Sequence, residues 1–539
     1  MKAARLRGAL ALVVTGAAAV GLSLAAQAYG TPMPTAVRPV TLSLSSATPT
    51  LVCPGPETLL APAGGSVVAP PGPVTISAVA LTGAGGSASL AGAEVASAAS
   101  VASGGSGGST PLTLAGDLAQ ARLPRSAAGA VRLDARTAGA GRAVPAAALQ
   151  TTLAASGDLR GLSAAGCSAA TNHAWLVGGG TGPGERTRLV LINPTPSTAL
   201  LDVFVHGPQG IVKAPAGEGV VVAAHHQTVL FVDALAPDAG QLAVEVLVRT
   251  GRVVATLHHQ RLAGFTPGGV DGIVPAAPAA RSQVIPGLDL AAPGRTAVRV
   301  VAPGDAEAVA RVHLIGAAGP VTVPGAVVTV PAGGVRDVPL QVSAALPAGH
   351  YTAVVEADEP VVAGALLTRT LAGGELAGTA AAVGKTVPPS DLAWAAATSP
   401  LRGTVILATP PTGVGSRLVL TTAERSTAGA DVAASSASPG QGSAAEVGVS
   451  EVSAAGVAGA ERLVSIEAGR QVDVPISATA TAVLLRSVPS AGSGSIHAAM
   501  VLTAADAAGP MISVVPVRPG PTAPVSPPVV VHDPGVGVS

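Results

Sequence analysis

Along most of the chain, apolar runs of four to seven residues alternate with clusters of Gly, Pro, Asn and Asp. Arg188-Leu-Val-Leu-Ile192 stops at Asn193-Pro194, Leu201-Asp-Val-Phe-Val205 stops before Gly207-Pro208, and Val298-Arg-Val-Val301 stops before Pro303-Gly304. Runs of that length, rich in Val and Leu and closed by turn residues, predict short strands joined by tight turns. A series of Ala-rich helices is the competing reading, but Gly and Pro recur too often for any helix to persist.

The same pattern repeats. Val222-Ala-Ala-His-His-Gln-Thr-Val-Leu-Phe231, Val330-Pro-Ala-Gly-Gly-Val-Arg-Asp-Val-Pro-Leu340 and Ile466-Glu-Ala-Gly-Arg-Gln-Val-Asp-Val-Pro-Ile476 each begin apolar, turn on small residues and re-enter an apolar strand. Units of about 100 residues built from such strands predict all-β, immunoglobulin-like antiparallel sandwich modules in tandem. The expected organisation is a signal or anchor helix at 1–28 and an N-terminal β module at 39–180 with a Gly/Ser-rich loop at 82–110. Repeats at 185–285, 286–395 and 396–517 follow, the last with an Ala/Ser/Gly-rich insertion at 426–459, and then a disordered tail at 518–539.

The first residues change where this protein is expected to work. Lys2, Arg5 and Arg7 precede an uncharged stretch from Gly8 to Ala25, and Ala26-Gln27-Ala28 offers a small-x-small cleavage pattern. Export with cleavage after Ala28 is the first expectation, and an uncleaved membrane anchor at 8–28 is the second. Both place the bulk of the chain outside the cytoplasm, secreted or at the cell surface, with membrane contact only through that segment. In that setting Cys53 and Cys167, the only two cysteines, are most simply one disulfide, the alternative being two buried free thiols.

Composition narrows the partners. A formal net charge of zero with 11% charged residues offers no field for nucleic acid. Two Trp, two Tyr and three Phe are too few to give each module an aromatic platform for sugars. An unidentified envelope or extracellular protein is the expected partner.

Candidate chemistry is sparse. Gly178-Gly-Gly-Thr-Gly-Pro-Gly184 lacks the Gly-Lys-Ser/Thr of a phosphate loop and reads as a turn. Gly104-Gly-Ser-Gly-Gly108 matches a nucleophile-elbow string only because its tract is Gly/Ser-rich. Glu356, Asp358 and Glu359 read as a solvated turn, and Trp175 and Trp394 as core plugs at module junctions. The histidine pairs His225-His226 and His258-His259, with His206 nearby, are the one metal-binding lead. If their strands were adjacent, one imidazole from each could meet on a shared face, whereas exposed polar strand positions are the plainer expectation. No catalytic residue, cofactor or enzyme activity is expected.

Several landmarks together resemble a known family: Cys53-Pro-Gly-Pro56, Gly161-Leu-Ser-Ala-Ala-Gly-Cys167 leading to Trp175-Leu-Val-Gly-Gly179, Leu189-Val-Leu-Ile-Asn-Pro194, and Val284-Ile-Pro-Gly287. They are similar to an uncharacterised domain-of-unknown-function family of secreted or membrane-anchored actinobacterial proteins. The likeness covers most of the mature chain and departs at Gly272, where a Trp would follow Asp271. It implies export and assigns no activity. The functional expectation is therefore a non-catalytic structural or interaction module, the alternative being a metal- or ligand-binding protein that uses the first-repeat histidines.

Overall fold

A computed structural model describes residues 50–55, 57, 74–81, 87–92, 109–115, 118–125, 130–136, 145–371, 387–423, 444–488 and 494–519. The expected leader at 1–28, the core of the Gly/Ser tract including Gly104–Gly108, and the tail beyond Pro519 lie outside them.

The repeat unit is clearest in the module that opens with His173–Val177. Its second to eighth strands are Glu185–Ile192, Ala199–Gly207, the split pair Gly210–Val212 and Val220–Val222, Gln227–Phe231, Ala243–Thr250, Val254–Ala263 and Thr266–Ile273. One sheet runs first–sixth–third–fourth and the other fifth–second–seventh–eighth, all antiparallel. Leu189, Leu191, Val203, Val205, Val244 and Leu257 fill the space between them. This spacing puts alternate strand residues inward, as the period-2 pattern requires.

The following modules repeat that order. In the next, the single 22-residue strand Gly349–Thr370 serves as both sixth and seventh strand. Its first half pairs with Ala280–Leu290 and Ala308–Gly316, and its second half with Gly294–Val301 and Ser390–Ala396. The last module starts at Thr404–Ala408 and ends at Gly509–Pro516 with the same two sheets. The segment holding the disulfide has it too: Thr50–Cys53, Val131–Arg136, Ser87–Gly92 and Ser109–Pro111 face a sheet ordered Leu118–Arg125, Val74–Leu81, Ala146–Ala154, Gly161–Gly166. A repeat visible three times in sequence is thus present four times in structure. The modules share the size and facing antiparallel sheets of the immunoglobulin fold. Their strand order is their own, with the second strand lying between the fifth and the seventh instead of beside the first.

Four sequence expectations are corrected. His173–Val177, placed in the N-terminal segment, pairs with Ala243–Leu247 and opens the second module. Ala280–Leu290, of which residues up to 285 were placed in the first repeat, belongs to the third module through its pairing with Gly349–Thr370. Ala445–Ser453, inside the expected insertion, is an interior strand whose Val447 and Val449 are buried, because small-residue composition conceals a period-2 pattern. Glu356, Asp358 and Glu359 lie within the long strand and not in a turn; Asp358 accepts a hydrogen bond from the Val309 amide at 2.8 Å, and Arg281 stands 3.7 Å from Glu359.

The repeated sequence landmark is the connection from fourth to fifth strand. In each of the three copies an amide bonds back three residues: His226 to Ala223, Gly334 to Pro331, Arg470 to Glu467. The third turn residue is left-handed each time, at φ 57° for His225, 64° for Gly333 and 68° for Gly469. The last turn carbonyl then accepts from Asn193 or Ala302 just after the second strand, or from Thr422 at the end of it.

Apolar interfaces link the modules in a closed cycle. Val52 and Ala130 meet Val190, Ile192 and Val254; Trp175 and Ala243 meet Val301 and Val362; Val284 and Val354 meet Ala423; Leu149 and Leu162 share a core with Val405 and Met500. The fourth module therefore returns onto the first.

Candidate functional site

The eighth strand of every module is the last in its sheet, and these four edges, Gly161–Gly166, Thr266–Ile273, Ser390–Ala396 and Gly509–Pro516, pack together where the modules meet. An edge strand carries amides with no ladder partner, and burying one unpaired costs roughly 1–3 kcal/mol. Side chains supply the partners. Asp391 Oδ2 accepts from the amides of Leu162 at 3.1 Å and Ile512 at 2.9 Å, tying the third module to the first and fourth. Asp271 Oδ2 accepts from the Trp394 amide at 2.7 Å, and its Oδ1 lies 3.0 Å from Ser513 Oγ, which accepts from the Ala164 amide at 3.1 Å. Three side chains thus cross-link all four edges.

Such close approach needs glycine. A Cβ on Gly269 would collide with the backbone of Leu392, and one on Gly161 with the Asp391 carboxylate.

Glu57 joins the cluster from the first module, 3.5 Å from Ser163 Oγ. Glu57, Asp271 and Asp391 are 5, 0 and 0% exposed. Burial pushes Glu57 up to about 8, with the Asp391 charge adding and Arg188 opposing. Burial likewise lifts Asp391 to about 7 against its backbone amides, and raises Asp271 well above the usual carboxylate range, where Glu57 and Asp391 reinforce it. The junction is thus a set of carboxyls that hold protons near neutrality. A raised carboxyl suits a general acid; Asp271 and Asp391 accept hydrogen bonds from backbone amides of other modules, whereas Glu57 meets the Ser163 hydroxyl of its own module.

A second polar group locks the second and third modules. Arg299 pairs with Asp337 through contacts of 2.7 and 2.9 Å and donates to the carbonyls of Gly179 at 2.6 Å and Leu242 at 2.9 Å. Its guanidinium lies 4.9 Å from the Trp394 ring centre. Trp394 Nε1 donates to His259 Nδ1 at 3.1 Å. At the same interface, His206 lies against Trp175 of its own module with centroids 4.8 Å apart and planes tilted by 54°, and its Nδ1 donates to Gly333 O of the next module at 2.9 Å. Both tryptophans are buried at module junctions, where the sequence places them. Gly178–Gly184 is the connection between first and second strands, and it supplies one of the Arg299 acceptors.

The histidine pairs are not brought together. His225 and His226 are exposed in the repeat turn, and the strand that follows them is separated from the seventh strand by Glu185–Ile192. His258 and His259 are buried in that seventh strand, where burial depresses both to about 3. Among the described residues, no group of three or more His, Cys, Asp or Glu side chains is placed to hold a metal ion. Cys53 and Cys167 are bonded to each other, as expected.

Sequence reasoning missed Glu57, Asp271, Asp391 and Ser513. The available signal was a lone acid inside an apolar run, Val270-Asp-Gly-Ile273 and Asp391-Leu-Ala-Trp-Ala395, in a chain with few charges. Fold and junction define a class: an all-β protein of four equivalent sandwiches clamped around buried carboxyls. The chain belongs to the Family of unknown function (DUF5719), whose model matches residues 119–477 and so spans Asp271 and Asp391. No curated protein matches it.

Proposed function

We propose that this is an exported, non-catalytic protein of the secreted or surface-anchored actinobacterial type its sequence resembles, serving in the envelope or medium as a rigid structural or interaction unit. The observation that carries this reading is the inter-module junction. The buried carboxyls Asp271 and Asp391 are engaged in holding the sandwiches in one arrangement, which leaves loops and outer edges as a fixed display surface. The Cys53–Cys167 bond fits an oxidising compartment. The leader motif supports export, and its small-x-small site supports release.

Intact mass of the protein from producing cells and from their medium, with and without reduction and thiol alkylation, tests this reading. Medium protein lacking the first 28 residues, with thiols blocked until reduction, is the expected result. Full-length protein in the membrane fraction would make it an anchored surface unit. Full-length protein in the cytoplasm with alkylatable thiols would overturn the proposal.

A further inference from the structure

The first and fourth modules share an apolar core, and a cleft opens beside it. The cleft, of about 350 Å³, is lined from the first module by Leu51, Ala147 and Leu149 and from the fourth by Leu407, Met500 and Val515. That volume falls in the range of small-molecule sites, which are mostly apolar with a few placed polar groups. A second cleft of about 340 Å³ adjoins it: Ser168, Ala169, Pro516 and Arg518 line both. The second differs in character, adding the polar side chains of Thr171, His173, Thr398 and Ser399.

Arg518 stands where the two meet and is the only charged side chain among the described residues lining the first cleft. Among the described residues, no carboxylate forms an ion pair with it and no charged group acts on it. A guanidinium beside apolar walls, with a free fork of donors, is matched by a carboxylate that carries its own apolar chain. Arg518 is exposed, so water solvates its guanidinium when the cleft is empty; a neutral apolar guest would fill the cleft without a charge-assisted bond there, and a small anion would make that bond and leave the walls wet.

We propose that the adjoining clefts form a binding site for a single-chain amphipathic anion of the fatty-acid class, the acyl chain lying between the first and fourth modules and the carboxylate on Arg518. The apolar walls contribute through area removed from water, about 25 cal/mol per Å². The head group selects the anion over its neutral analogue. This site is independent of the His225-His226 and His258-His259 pairs and of the buried carboxyl junction, and it gives the exported unit a cargo that the structural reading alone does not.

The test is calorimetric titration of the full chain with dodecanoate and, separately, dodecanol, both below their aggregation limits, with phosphatidylglycerol vesicles as a third arm. One dodecanoate per chain is expected, bound about tenfold more tightly than dodecanol, the factor that ~1.4 kcal/mol of charge-assisted bonding gives. Arg518→Gln should erase that preference while dodecanol binding stays within about twofold. Ala147→Phe and Leu407→Trp fill the cleft from opposite walls at partly exposed positions; either, with an unchanged melting transition, should abolish binding of both ligands. Absence of binding to the wild-type chain, binding that survives both wall substitutions, a preference for dodecanoate that persists undiminished in Arg518→Gln, or binding to vesicles alone would each overturn the proposal.

Discussion

Raising the pH from 7 to 8.5 should weaken this fold, and Glu57 should be the main reason. The Glu57 carboxyl titrates at about 8 in the folded protein and at about 4.3 in an unfolded chain. Between those values the folded state holds a proton that the unfolded state has lost. Stability is therefore full below the unfolded value and falls as pH rises through the folded one. One proton difference is worth ~1.36 kcal/mol per pH unit, so Glu57 passing from mostly protonated to mostly ionised costs about 1.2 kcal/mol across this window. Asp391, at about 7, adds a few tenths because half of its transition lies below the window. His258, His259 and His497 are depressed by burial and act oppositely, but their gain is largely complete by the unfolded histidine value of about 6.5. These groups together give a loss of about 1 kcal/mol, and Asp271, also raised by burial, acts in the same direction. Urea unfolding followed by the fluorescence of Trp175 and Trp394, both buried at module junctions, measures it. Glu57→Gln keeps the shape, has no proton to release and should flatten most of the slope. The same pH slope in wild type and Glu57→Gln, or stability that rises from pH 7 to 8.5, would refute the reasoning.

Three further expectations follow from the same geometry. His225 occupies the left-handed position that Gly333 and Gly469 hold in the other copies, so His225→Gly should leave stability unchanged or slightly raised, whereas Gly469→Ala should lower it by about 1 kcal/mol in thermal unfolding. Arg299→Met should cost ~3 kcal/mol in urea unfolding, since it strands Asp337 and two carbonyls at the interface of the second and third modules; an effect below about 0.5 kcal/mol would show the pair to be dispensable. Replacing Cys53 and Cys167 together by Ser opens a loop of sequence separation 114, and the expected loss is about 4 kcal/mol, read by comparing urea midpoints with those of the oxidised parent.

The sequence by itself determined the element type, the tandem plan and the disulfide. Val- and Leu-rich runs between Gly and Pro turns leave no room for helices, and a repeated turn exposes the repeat because its left-handed third residue and returning strand constrain local residue choice. The fourth copy stayed hidden. The first module carries no copy of that landmark clear enough to align, and Ala445–Ser453 looks like filler because Ala, Gly and Ser build a strand as readily as they build a linker. Burial of a strand on both faces removes the alternation that normally marks it, as in Ser390–Ala396, where every residue is buried.

Only tertiary structure decided what the acids do. Asp271 and Asp391 are 120 positions apart in the sequence, and the one local mark they carry, an acid beside apolar residues, does not say which groups they meet. They become inter-module acceptors because four edge strands from four modules converge, and those edges present amides that only side chains can satisfy. Likewise the cleft beside Arg518 belongs to no single repeat: its walls come from the first and last modules, and it exists because the fourth sandwich closes back onto the first. A one-dimensional pattern can specify each sandwich, since strand pairing within a module is local. The contacts that close the cycle link residues hundreds of positions apart, and they depend on shape and burial that no short window of sequence contains.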